Sequence, residues 1–193
     1  MARIVVMGPS GSGKSTVGSA LAERIGARFI DADDLHPLTN VEKMAAGIPL
    51  DDADRMPWLA VVGAALHDST HVVVACSALK RAYRDAIRDQ APGAFFAELA
   101  VSREVLQERV RTRDDHFMPT SLVDSQLEAW EKLEQDEPGV SIDEAAGVEH
   151  AVALIAQALD GDRLRRREFS PCGSRSGRGR TGRRTSRPQR TPS

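Results

Sequence analysis

Residues 8–15, Gly8-Pro9-Ser10-Gly11-Ser12-Gly13-Lys14-Ser15, constrain this chain more than any other stretch. Their spacing, G-x-x-x-x-G-K-[ST], follows the apolar run Ile4-Val5-Val6-Met7 and opens helical apolar spacing at Val17, Ala20, Leu21 and Ile25. A strand must run into a glycine-rich turn and straight on into a helix, the context in which this pattern holds phosphate groups. Glycines let successive backbone N–H groups turn inward, and the helix N-terminus adds positive potential. Lys14 can reach the β/γ-phosphates and the Ser15 hydroxyl can bind Mg²⁺. The run Gly8, Pro9, Ser10, Gly11, Ser12, Gly13, Lys14, Ser15 and Thr16 therefore implies a bound nucleoside triphosphate.

Beyond the loop, strand and helix patterns alternate. The spacing predicts strands at 3–7, 28–31, 71–76, 94–99 and 140–142. Helices are expected at 14–25, 40–46, 51–66, from about Lys80 to the Pro92-Gly93 break, and at 102–111, 121–134 and 148–159. Asp51-Asp52-Ala53-Asp54 reads as an N-cap and acidic first turn, and His71–Cys76 as a strand buried on both faces. Alternation of this kind predicts an α/β fold, a P-loop NTPase with a parallel sheet flanked by helices. Right-handed crossovers then bring the strands' C-terminal ends to one crevice, where ligands bind.

Composition narrows the class further. With 41% hydrophobic residues over 193 positions the chain can bury one substantial core. No apolar stretch approaches the roughly 20 residues a membrane helix needs. Cys76 and Cys172 make no disulfide framework, so the expected compartment is the cytoplasm and no membrane partner is expected. Charge is unevenly distributed. Residues 162–193 carry eleven arginines against Asp162 and Glu168, whereas the remainder holds 15 basic and 26 acidic side chains. The expected organisation is a catalytic domain over 1–161 and an Arg-rich, disordered tail over 162–193, whose composition builds no core. Phosphate contact with nucleic acid is one use of such a tail, and a solvated extension is the favoured reading.

Several side chains are candidates for chemistry at the crevice. Asp31 and Asp33, at the end of the second strand, can hold water ligands of Mg²⁺ and orient an attacking hydroxyl. A capped polar turn would also explain them. Lys80 and Arg84, spaced i and i+4, can receive an anionic group or belong to a solvated helix face. His36 can hydrogen-bond a sugar hydroxyl or merely start a turn at Pro37. The Arg-bearing segment through Arg113, His116 and Phe117 reads as a flap that closes over the triphosphate.

These residues also spell a family. Phe29-Ile30-Asp31-Ala32-Asp33-Asp34-Leu35-His36-Pro37 is followed by Asn40–Leu50, Asp51-Asp52-x-Asp54-Arg55-x-Pro57-Trp58-Leu59 and Cys76-Ser77-Ala78-Leu79-Lys80-x-x-Tyr83-Arg84-Asp85. With the phosphate loop and His116-Phe117-Met118, they resemble the thermosensitive-type gluconokinases, relatives of shikimate kinase and the nucleoside monophosphate kinases. The resemblance spans about residues 3–159. It implies a shikimate-kinase-like fold with a five-stranded parallel sheet and a lid segment. It also implies ATP-dependent phosphorylation of D-gluconate to 6-phosphogluconate with Mg²⁺, and often a homodimer. Asp31 would sit behind the Mg²⁺, Asp33 would orient the acceptor hydroxyl, and Arg113 would reach the phosphates from the lid. Arg55, Lys80 and Arg84 are the cationic candidates for the acceptor carboxylate. A kinase of another small sugar acid or polyol, such as shikimate, is the alternative within this class.

Overall fold

The computed structural model describes residues 2–111, 126–143 and 147–168. Strands β1 (Ala2–Met7), β2 (Arg28–Asp31), β3 (His71–Cys76), β4 (Phe95–Ala100) and β5 (Gly139–Asp143) alternate with helices. These helices are α1 (Lys14–Ile25), α2 (Leu38–Ala45), α3 (Asp52–Asp68), α4 (Arg81–Gln90), α5 (Arg103–Arg111) and α6 (Gly147–Glu168). The strands form one parallel sheet in the order β2-β3-β1-β4-β5, as the alternating pattern requires.

Because side chains alternate across a strand, the central β1 serves two cores at once. Ile4 and Val6 face a cluster with Val17, Leu21, Phe95, Leu106, Ile142 and Ile155, which packs α1, α5 and α6 on one face. Val5 and Met7 face the other, with Trp58, Leu59, Val62, Leu66, Ile87 and Phe96 from α3, α4 and β4. All strands run the same way, so Met7, Asp31 and Cys76 end at one sheet edge. Register confirms it, with Met7 opposite Cys76 and Asp31 opposite Ala75.

The acidic start of α3 behaves as its sequence predicts. Asp51 is the N-cap, and its carboxylate accepts from Asp54 N at 2.9 Å while Asp54 accepts from Asp51 N at 3.2 Å. Where α3 crosses α4, Gly63 has no room to spare. A Cβ there would lie 2.7 Å from Gln90 Cβ and 2.8 Å from the Ile87 carbonyl. Alanine normally gains about 1 kcal/mol over glycine inside a helix. Overpacking against backbone should outweigh that gain, so Gly63→Ala is expected to cost about 1–3 kcal/mol in chemical denaturation.

Two expectations need correction. The segment expected to be helical over 121–134 has only a helical turn at 126–128 among its described residues, and 130–134 is irregular. Hydrogen bonds from that stretch to the sheet and to α4 replace helical ones, as described below. The closing helix, expected over 148–159, runs from Gly147 through Glu168. Gly161 costs a helix about 1 kcal/mol, and the surrounding helix formers tolerate that. Residues 169–193, and Arg113, His116 and Phe117, which the sequence places in a flap, lie outside the described residues.

Candidate active site

Leaving β1, the chain turns sharply through glycines in the left-handed region, with φ of 150° at Gly8, 83° at Gly11 and 89° at Gly13. A Cβ on Gly8 would sit 2.9 Å from Ser12 Oγ and 3.1 Å from the Leu99 carbonyl, so the turn closes only without one. Helix α1 then starts with no side-chain cap. Its first intrahelical bond runs from Val17 N to the Gly13 carbonyl at 2.9 Å, leaving the N–H groups of Lys14, Ser15 and Thr16 without intrahelical acceptors. Lys14 is only 9% exposed at this positive helix end. A buried ammonium beside a helix N-terminus is stabilised by an anion, so these residues fit a polyphosphate.

Ser15 Oγ donates to Asp31 Oδ2 at 2.7 Å, and Asp31 Oδ1 accepts from Asp33 N at 3.1 Å. One hydroxyl and one carboxylate suit Mg²⁺, which keeps several waters and shares its coordination with substrate phosphates. Among the described residues no cluster of three or more His, Cys, Asp or Glu could hold an ion alone. The Cys76 thiol, at the end of β3, is pushed up to about 12 by burial, and it feels the charges of Lys14, Asp33 and Arg55. The thiol itself is no nucleophile.

Residues 36–58 fold as one unit beside the loop. His36 stacks on Trp58 with ring centroids 4.0 Å apart and 15° between planes. Trp58 Nε1 donates to the Ala32 carbonyl at 2.9 Å, which ties α3 to the end of β2. Buried Asn40 donates to the Asp54 carbonyl at 3.1 Å and lies 3.3 Å from His36 Nδ1. Burial lowers the His36 pKa, with Arg55 adding to the effect and Asp33 opposing it. A neutral imidazole presents one donor and one acceptor, which suits hydroxyl groups.

A cavity of about 580 Å³ opens between the starts of α3 and α4 and the turn at 126–129, and Asp52, Arg55, Lys80, Tyr83 and Gln126 line it. Lys80 Nζ donates to Asp52 at 2.9 Å, and Tyr83 Oη donates to the same carboxylate at 2.5 Å. Those two bonds, Tyr83 first, hold Asp52 below the usual carboxylate range. Burial and the bond to Asp52 raise Tyr83. The Arg55 and Lys80 cations lie 6.0 Å and 5.2 Å from the Tyr83 ring centroid. Arg55 is steered by its Nε bond to the Leu50 carbonyl at 3.2 Å.

Arg84 is the clear correction among the predicted site residues. It is 0% exposed, and Glu137 accepts from both Nε and Nη2 at 2.7 Å. Its remaining donors go to the carbonyls of Ala78, Leu79, Glu131 and Lys132. No donor faces a ligand, so Arg84 leaves the substrate-binding set. The i and i+4 argument fails because Lys80 is the N-cap of α4, with extended backbone at φ −97° and ψ 151°. Its side chain diverges from the helix face that carries Arg84. Arg81, beside them, pairs with Glu134 and Asp136.

Tyr83 and Asp52 enter the cavity without having been singled out as ligand-binding residues. Their spacing to Lys80 and Arg55 was the available signal. Gln126 carried none.

A profile described as an AAA domain matches residues 4–134. The fold is shared with a shikimate kinase from Aquifex aeolicus vf5, at a TM-score of 0.55, 22% identity, and coverage of 84% of this chain and 98% of that one. Sheet order, phosphate loop and the acidic end of β2 define the class as a P-loop kinase. The chain is 42% identical over 159 residues to the thermosensitive gluconokinase of Escherichia coli (strain K12), covering 79% of this chain and 82% of the relative. A solved gluconokinase from Sinorhizobium meliloti 1021 is 48% identical, with a TM-score of 0.77 over 85% of this chain and 97% of that one. The chain belongs to the gluconokinase family.

Proposed function

We infer that this protein transfers the γ-phosphoryl group of ATP to D-gluconate, giving 6-phospho-D-gluconate. The observation that carries the reading is the juxtaposition at one sheet edge. An uncapped phosphate loop with Asp31 and Asp33 adjoins a polar cavity holding two cations, Arg55 and Lys80. A polyhydroxy acid needs what that cavity offers: the Arg55 and Lys80 cations for the carboxylate, and the Asp52 carboxylate for hydroxyl groups.

In this reading Lys14 and the N–H groups at the start of α1 hold the phosphates, and Ser15 with Asp31 holds the Mg²⁺ side. Mg²⁺ would neutralise developing charge on the phosphates. Asp33 orients the acceptor hydroxyl and takes its proton as the new oxygen–phosphorus bond forms and the bond to ADP breaks. Arg55 and Lys80 receive the carboxylate, and Arg113 opposes charge from the lid. Positioning and preorganised charge supply the rate, with no covalent intermediate. We assign the protein to a reducing, cytoplasmic setting, supported by the buried free thiol of Cys76. We also propose the homodimer that the family resemblance implies, which light scattering would test.

The test is ADP release measured across gluconate, shikimate and nucleoside monophosphates. Turnover is expected with gluconate, and turnover with another acceptor but none with gluconate would overturn the reading. Asp33→Asn should lower kcat by about 10²-fold while the KM for gluconate changes by less than about threefold. An unchanged kcat would remove Asp33 from its role.

A further inference from the structure

Gln126 belongs to both halves of the site. Its Oε1 accepts from the backbone N–H of Ser10, in the middle of the phosphate loop, at 2.7 Å across 116 residues of sequence. It also lines the cavity that holds Asp52, Arg55, Lys80 and Tyr83. The turn that carries it leads into a segment hydrogen-bonded on several sides. Trp130 Nε1 and Leu133 N donate to buried Glu98 Oε1, within β4, at 2.9 Å and 3.2 Å. Glu131 N donates to the Leu79 carbonyl at 2.8 Å, and Glu131 Oε2 accepts from Arg81 N at 2.6 Å. Gln126 is thus presented from a segment tied to the sheet and to the start of α4.

We propose that Gln126 is a positioning residue that couples acceptor binding in the cavity to nucleotide binding in the phosphate loop. The inference rests on the kinase reading above and assigns a residue to it. The physical basis is the planar side-chain amide, which offers an acceptor oxygen and two N–H donors on one rigid group. With the oxygen committed to Ser10 N–H, the orientation of the donors is set. A hydroxyl or carboxylate oxygen of a sugar acid in the cavity can accept from them. Each partner then holds the amide in the orientation the other requires. Binding at one site lowers the cost of binding at the other, and the coupling is reciprocal.

The experiment is calorimetric titration of a non-hydrolysable ATP analogue with Mg²⁺ into the full-length protein, with and without saturating gluconate. In the wild type, gluconate is expected to tighten nucleotide binding by at least about fivefold. Gln126→Met has nearly the same shape and cannot hydrogen-bond in this way. It should bring that factor below about twofold while Tm stays within about 2 °C. Gln126→Glu serves as the second variant. Its carboxylate can still accept from Ser10 N–H but has no donors, so the coupling should fall there too even if the Met variant does not fold. A wild type that releases ADP with gluconate but shows no coupling, or variants that retain the full factor, would overturn the inference alone. A wild type with no gluconate-dependent ADP release would overturn the kinase reading as well.

Discussion

Lys14→Ala is expected to lower kcat/KM for gluconate phosphorylation by at least about 10³-fold, about 4 kcal/mol of transition-state stabilisation. The size follows from where the charge sits. Lys14 is the first residue of α1, nine-tenths buried, at a helix end whose N–H groups have no cap. A cation held there by the fold needs no reorganisation when charge builds on the transferring phosphoryl group, and alanine leaves nothing to replace it. The fold should survive, because the substitution removes a desolvated charge from the loop and no core contact. Tm and far-UV circular dichroism check that survival, and steady-state ADP release checks the loss. A Lys14→Ala protein with more than about a tenth of wild-type kcat/KM would mean that the loop does not hold the reacting phosphates.

Glu137→Ala should act on stability instead, costing about 3–5 kcal/mol, as expected when one partner of a buried ion pair is removed. Both side chains of the Arg84–Glu137 pair are 0% exposed. The variant would leave the guanidinium buried with its carbonyl partners and no counter-charge. The damage should reach the site through geometry, because Arg84 binds the carbonyls of Leu79, Glu131 and Lys132. It thereby fastens the start of α4 to the segment that follows Gln126. Chemical denaturation of wild type and Glu137→Ala measures the cost, and a difference below about 1 kcal/mol would contradict it.

The same pair predicts an acid limb. Burial pushes the Glu137 carboxyl up, but the Arg84 hydrogen bonds, the Glu134 N–H and the Arg84 and Arg88 charges outweigh it, so the net shift is downward. A carboxyl lowered in the folded state binds fewer protons folded than unfolded. Its contribution is complete above the ordinary glutamate range and is lost as pH falls through the lowered folded value. Glu137→Gln should therefore flatten the fall of stability below about pH 4.5 relative to wild type.

Local pattern was enough for much of the architecture. The bounds of α1, β2 and β3 match those read from apolar spacing, because each lies between clear breaks and packs against the sheet. The Asp51 cap was legible because its partners are three residues apart. Segment 126–134 misled for the opposite reason. Its spacing suits a helix, yet its groups bond to Leu79, Arg81, Arg84 and Glu98, all more than thirty residues away.

Spacing and residue type alone therefore dictate the phosphate loop, the parallel sheet and the edge at which Asp31 and Asp33 lie. Those features depend on spacing, on residue type, and on the rule that parallel strands end on one side. Only the tertiary structure decided which cations face the cavity. Lys80 and Arg84 share a sequence spacing and a charge. The N-cap backbone of Lys80 turns one toward Asp52 and Tyr83, and a buried Glu137 fifty-three residues away claims the other. Likewise nothing local to Gln126 marks it, because its role comes from a loop 116 residues earlier. Partners so distant in sequence meet only when the sheet has formed.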